Sequence, residues 1–302
     1  MAAGDRVAVA GHVQFGDELL LGPGTAYRWR TLTGWEDSPG VDSGTVARSD
    51  AHGAYPGRLL AQPRTITLDD MVIRTEPRRM GAAVRTLRAA TALRDDEQPL
   101  VVQLDDEPPL LSFARCLRRS IPVGVGGYAI GVVQGAALQF EASDPRRYSL
   151  AEQQTVAGLP IAEPGLDWQV SPGPERLTYP LEFGTPGSTG ALLAVNTGDA
   201  PSHPVIVIRG PVSLPSLTNV GTGGVIEYDI DLALDDELLV DTAAGTVTLN
   251  STAARLYTAT ARSLPENLFV LAPGATTLLF RSAPGVADAR ASCSIRWRSA
   301  HW

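Results

Sequence analysis

The sequence predicts a mainly β protein in two domains, an α+β first half followed by a nearly pure β second half. Three observations point there. Short runs of alternating apolar and polar residues dominate the chain, 30 Gly and 23 Pro interrupt them at close intervals, and only one segment carries helical spacing. A length of 302 residues exceeds what one small core needs and suits two domains of ordinary size.

The elements follow in chain order. WRTLTGW (29–35) and RTITLDDMVI (64–73) read as strands. Between them, 34–57, GWEDSPGVDSGTVARSDAHGAYPG, gathers acids and His52 among glycines and prolines; its composition is that of a long shaped connection, and connections beyond ~12–15 residues in a compact domain usually serve a function. Residues 77–94 predict the helix: Met80, Ala83, Val84, Leu87 and Ala90 recur on one face, Pro77 suits a first turn, and Gln98-Pro99 is expected to close it. Strands are expected over 100–104, 110–118 and 128–141. GVGGYAIG (124–131) has glycines enough for a phosphate loop but leads into strand-like sequence, so a hairpin or bulge is expected there.

Alternation fades over 144–174, which places a domain boundary near Ser149 and divides the chain into 1–149, a linker over 150–174, and 175–302. In the second half VIVI (205–208) is apolar on both sides and predicts a central strand. In 225–232 the pattern assigns Ile226, Tyr228, Ile230 and Leu232 to one face and Glu227, Asp229 and Asp231 to the other; in 292–298 Cys293, Ile295 and Trp297 point inward.

Composition narrows the function. Hydrophobic residues make up 44% and charged residues 19%, a globular balance, and no apolar run reaches the ~20 residues of a bilayer span. A formal net charge of -8 argues against general nucleic-acid binding, which needs a basic footprint. The N-terminal stretch lacks a continuous apolar h-region, so folding in the cytosol is expected. Cys116 and Cys293 are far apart and read as small buried hydrophobes. All 25 basic residues are arginine, which removes Schiff-base and P-loop lysines and favours forked contacts with carboxylates. The pairs Arg78-Arg79, Arg118-Arg119 and Arg146-Arg147 are separated by acidic runs and suggest salt bridges between subunits.

Reactive constellations are weak. Asp-Asp-Glu occurs at 95–97, 105–107 and 235–237, but neighbouring carboxylates on a strand point to opposite faces, and solvated turns account for them better than a hydrolase does. His12, His52, His203 and His301 have no metal-ligand spacing, and there is no Gly-x-Ser-x-Gly elbow. No enzyme, cofactor or metal is expected.

The succession of motifs resembles a known family. WRTLTGW, SPGVDSG, SDAHGAYPG and RTITLDDMVI followed by a helix are similar to the N-terminal domain of distal tail proteins of long-tailed, siphovirus-type bacteriophages, especially those of actinobacteria. NTGDAPSHPVIVIRGPV (196–212), LPSLTNVGTGGVIEYDIDL, DELLVDTAAGTVTLN and LFVLAPGATTLLFRS resemble the galectin-like β-sandwich at the C-terminus of such proteins. The resemblance implies a baseplate hub at the virion tail tip, assembled in the host cytoplasm. Its N-terminal domain closes a hexameric ring against the tail tube protein and a tail-tip hub protein, its sandwich carries receptor-binding parts, and neither nucleic-acid contact nor membrane insertion is required. Subunit-interface candidates are Trp29, Trp35, Glu36, Asp37, Asp50, Tyr55, Arg78, Arg79, Arg118 and Arg119. The alternative is a carbohydrate-binding module for cell-wall glycans; with Tyr228 and Trp297 assigned to buried sides, its aromatic platform would fall to Trp168 or Tyr257.

Overall fold

The structure, a computed structural model, describes residues 3–161, 187–285 and 287–302. The chain divides into two compact units, Met1–Ala151 with Ala300–Trp302, and Glu152–Ser299.

Unit 1 is built on a ten-stranded sheet whose main path runs Leu19–Leu21, His12–Phe15, Gln98–Gln103, Leu110–Ser120, Val132–Ala142, Arg64–Arg74 and Tyr27–Arg28. Thr31–Thr33 pairs with Arg64–Arg74, while Arg147–Ser149 pairs with Leu110–Ser120 and with Ala300–His301. The alternation that predicts these strands also fills the core. Ile66, Leu68, Phe140, Leu138, Ala114 and Cys116 all face inward and are buried.

The strand Arg64–Arg74 changes phase halfway. Arg64, Ile66 and Leu68 are inward, then Met71 and Ile73. Asp70, at φ +50°, supplies the extra residue, a backbone region that Asp tolerates better than most side chains. The partner strand shifts register on either side of Ala136, so both apolar sets stay on the core side.

The helix occupies Met80–Ala90 after a 3-10 turn at Pro77–Arg79, with Met80, Val84 and Leu87 buried. It ends earlier than expected. Thr91 Oγ1 donates to Leu87 O at 2.6 Å, and Arg119 Nη1 donates to the carbonyls of Arg88 and Thr91 at 3.0 and 2.9 Å, so its terminal carbonyls are satisfied there. Gln98 and Pro99 lie inside the strand Gln98–Gln103 instead of closing the helix.

A second correction concerns 124–131, which contains a short helix, Val125–Ile130, in place of a hairpin or bulge. Gly131 stops it in the left-handed region at φ +75°, donating to Gly127 O. A Cβ at Gly131 would lie 2.2 Å from Thr75 O, so the glycine also allows this turn to sit against the segment that starts the long helix.

Among its described residues unit 2 has two larger sheets and one two-stranded sheet. One larger sheet runs Gln153–Gly158, Ser292–Trp297, Val205–Arg209, Glu237–Asp241, Thr246–Leu249 and Ala253–Ala254; the other runs Ala191–Asn196, Gly274–Arg281, Ser216–Asn219 and Val225–Glu227. Both contribute to one core that includes Ile206, Ile208, Cys293, Ile295, Trp297, Leu217, Phe280 and Tyr228. Val205–Arg209 is central, paired on both sides. The expected strand 225–232 is divided: Val225–Glu227 belongs to the second sheet, and Asp231–Leu232 pairs with Val212–Ser213. Glu227, expected outside, is buried, because Thr260 Oγ1 and Arg262 Nη1 donate to its carboxylate at 2.9 and 3.2 Å. A buried carboxylate persists when paired in this way.

Among the described residues no helix is long and apolar enough to cross a membrane.

Candidate functional site

The long connection of the sequence is an arm. Val41–Asp42 pairs with Leu60–Ala61, and Val46–Ala47 pairs with Ala54–Tyr55, antiparallel. Val46 stands beside Tyr55 and Val41 beside Ala61. Among the described residues the ribbon joins no other sheet, and Val41, Val46, Tyr55, Leu59 and Leu60 are all exposed. Gly57 lets its two sides meet, since a Cβ there would lie 2.2 Å from Gly44 O. A two-stranded ribbon that buries no apolar face is marginal by itself, so its stability and direction depend on its base.

Arg64 anchors that base. It is 2% exposed. Its Nε donates to Pro145 O at 2.7 Å, and its Nη1 donates to the carbonyls of Gly34, Trp35 and Asp37 at 2.8, 3.0 and 2.6 Å. One guanidinium thus gathers the incoming side of the arm, which its fixed fork suits and an ammonium would not. Burial, and then the positive charge of Arg147, lower the Arg64 pKa, with Glu36 and Asp37 opposing. Arg147 lies beside it, its guanidinium 5.8 Å from the Trp35 ring centroid, paired with Glu36 at 2.7 Å and donating to the main-chain oxygen of Trp302. Asp37 Oδ2 accepts from Gly34 N at 2.7 Å, which tightens the turn.

The predicted interface residues fall into several places. Trp35 is buried in the core of unit 1, so it holds the arm base from inside. Trp29 is half-buried against the same core, its indole N–H donating to Gly11 O at 2.9 Å. Glu36 and Asp37 are exposed at the arm base, and Asp50 is exposed at its tip. Tyr55 is exposed on the arm with the Arg48 guanidinium 4.8 Å from its ring centroid. Arg78 and Arg79 are exposed on the 3-10 turn, and the Arg79–Glu76 pair at 3.2 Å is too solvated to matter much for stability. Arg118 is exposed beside a shallow 280 Å³ cavity that Asp69 and Gln139 also line. Arg119 is occupied within the chain at the helix terminus, donating also to Thr91 Oγ1. The arm gathers Glu36, Asp37, Asp50 and Tyr55, whereas the arginine pairs lie on other elements.

Sequence reasoning missed Arg64. The available signal was its inward phase on the same strand as Ile66 and Leu68. The pair Arg146-Arg147, expected to bridge subunits, is engaged within unit 1. Arg146 holds Asp144 at 2.7 Å, and Tyr148 Oη donates to the same carboxylate at 2.5 Å. Burial raises the Asp144 pKa, but the hydrogen bonds from Arg146 and Tyr148 outweigh it and leave the carboxyl below its usual value.

The acidic triplets serve turns and tie neighbouring segments together. Glu97 accepts from Ser143 N, Asp105 from Glu107 N, and Asp236 from Ala233 N, while Glu237 pairs with Arg209. Among the described residues no group of three His, Cys, Asp or Glu could hold a metal ion. Tyr257 is exposed on the 3-10 turn Leu256–Thr258 with Arg255 6.0 Å from its ring centroid. Trp168 lies outside the described residues.

No family model and no curated protein matches the chain. Solved structures do. The chain is similar to SPP1 Dit, described as a paradigm of the hub adsorption apparatus in Gram-positive infecting phages, at 13% identity and TM-score 0.63, covering 96% of this chain and 98% of that one. It is also similar to a chain of the phage P2 baseplate in its activated conformation with Ca, at 10% identity and TM-score 0.51, covering 94% of this chain and 97% of that one. Over nearly its whole length the protein has the mainly β fold of a phage baseplate hub protein.

Proposed function

We propose that this chain is a structural protein of a bacteriophage virion, a distal tail protein that forms the baseplate hub. In this reading copies of unit 1 close a hexameric ring that joins the tail tube protein to the tail-tip hub protein. The galectin-like second unit carries peripheral or receptor-binding parts, and the particle is assembled in the host cytoplasm. The observation that carries the reading is the likeness to SPP1 Dit, which covers 96% of this chain and 98% of that one and so leaves almost nothing over on either.

The arm supports it physically. A marginal ribbon with exposed Val41, Val46, Tyr55, Leu59 and Leu60 is costly for an isolated molecule and suits one that meets another surface. A heterologous contact repeated by rotation closes a ring. The role is mechanical, and it asks for no catalytic residue.

Light scattering and negative-stain imaging of the purified full chain over a range of concentrations test this. Ring-shaped particles are expected. A strict monomer at all concentrations that also fails to bind tail-tube or tail-tip proteins overturns the reading.

A further inference from the structure

Residues 300–302 belong to unit 1, although the chain reaches them from unit 2. Ala300–His301 pairs antiparallel with Arg147–Ser149, His301 opposite Arg147 and Ala300 opposite Tyr148. Only Arg298 and Ser299 separate it from the strand Ser292–Trp297, and that spacer has little slack. Ser202 Oγ donates to Arg298 O at 2.7 Å, and Ser299 Oγ accepts from Thr197 N at 3.0 Å and from Gln153 Nε2 at 3.2 Å.

Arg147 carries the connection from this strand to the arm. Its main chain lies opposite His301 and its Nη2 donates to the main-chain oxygen of Trp302. Its Nη1 holds Glu36 at 2.7 Å, and its guanidinium lies 5.8 Å from the Trp35 ring centroid. The arm base is thus clamped twice, by Arg64 through the carbonyls of Gly34, Trp35 and Asp37 and by Arg147 through the side chains of Trp35 and Glu36. The second clamp has a condition. Arg147 is only 8% exposed and stands near a second buried guanidinium, that of Arg64, whose pKa its charge lowers. A buried cation persists where its acceptors converge, and removing one leaves it uncompensated. The Glu36 side chain is 65% exposed, so its pairing alone holds weakly. With residues 300–302 withdrawn, Arg147 turns to water and leaves Trp35 and Glu36.

We infer that residues 300–302 are a latch on the arm: seated beside Arg147–Ser149 they keep Arg147 on Trp35 and Glu36 and the arm base ordered, and their withdrawal loosens it. A displacement of the strand Ser292–Trp297 reaches the latch through two residues of tied chain, so the order of the arm is linked to the state of that strand. The latch acts within one chain and does not depend on ring closure. Its coupling is reciprocal, so whatever orders the arm base also tightens the hold on residues 300–302.

Amide exchange of the full chain tests this. His301→Pro removes a backbone donor and disfavours pairing with Arg147. It is expected to speed exchange at 34–37 by about fivefold or more, the lower end of typical coupling between sites, while Ile66–Leu68 keep their protection. In the reverse direction Glu36→Ala, at an exposed side chain, is expected to speed exchange at Tyr148 and Ala300 by a similar factor. Combining the two should add little at either place, since each releases the same arginine. Exchange at 34–37 that stays within about twofold of the unsubstituted chain after the pairing of 300–301 is lost overturns the latch. If His301→Pro strips protection from Ile66–Leu68 as well, Glu36→Ala decides, and unchanged exchange at Tyr148 and Ala300 overturns the latch.

Discussion

Replacing Arg64 by leucine tests the claim that one buried guanidinium holds the arm. The substitution removes four hydrogen bonds, to the carbonyls of Gly34, Trp35, Asp37 and Pro145. Nη1 shares its two N–H groups among three of these carbonyls, so three donors at ~1.5–3 kcal/mol for a hydrogen bond from a charged group would sum to ~4.5–9 kcal/mol. Three effects reduce that figure. The leucine relieves the desolvation of a buried charge near Arg147, it removes an Nη2 group that has no acceptor among the described residues, and water regains access to the Gly34 and Asp37 carbonyls in the exposed turn. A net loss of ~2–4 kcal/mol is expected, in the range for breaking a buried polar network. Urea unfolding of the full chain reads the global effect. Amide exchange localises it, because the arm base, 34–37, should lose protection before the core strands do. A loss below ~0.5 kcal/mol, typical of a neutral surface change, together with unchanged exchange at 34–37, would refute the anchor. Arg64→Lys should recover only part of the loss, since one ammonium cannot serve carbonyls on both sides of a fork.

Other outcomes follow from the same structure. Trp35→Ala should destabilise the monomer by ~3–5 kcal/mol, as for a large core aromatic, so its assembly defect would accompany a lowered unfolding midpoint. Gly131→Ala should cost ~2–5 kcal/mol through left-handed strain and close contact with Thr75 O, read by thermal unfolding. Asp144 has a depressed folded pKa, so the stability it contributes is present above its unfolded value of ~3.9 and is lost as pH falls through the lower folded value. Asp144→Asn should therefore flatten the decline in stability below about pH 4, measured by urea titration at stepped pH. Burial pushes the Cys293 thiol up to about 12 and raises Cys116 as well, so neither should react with a thiol reagent at neutral pH until the chain unfolds.

Much of the fold was legible because alternation and turn residues are local signals. Ser292–Trp297 and the buried face of Met80–Ala90 follow from side-chain period alone, since each has one face that must leave water, and Val205–Arg209 follows from an apolar run suited to burial on both faces. The short helix Val125–Ile130 was not legible, because its glycines give no helical period and its form depends on Gly131 approaching Thr75. Glu227 looked outward until the distant Thr260 and Arg262 closed over it. The arm read as a connection because its cross-strand pairs are two residues long and apolar on neither strand in a regular way.

By itself the sequence determined the β class, the position of the long helix, the inward residues of the regular strands, and the restriction of positive charge to arginine. These depend on neighbours within a few residues. Tertiary structure alone decided that Arg64 points into the base of an arm, that Trp35 is core and Tyr55 surface, and that Arg146 and Arg147 are engaged within unit 1. Those outcomes depend on which distant backbone carbonyls and carboxylates arrive at the same place. A buried charge stays where such partners converge, and no local pattern announces them.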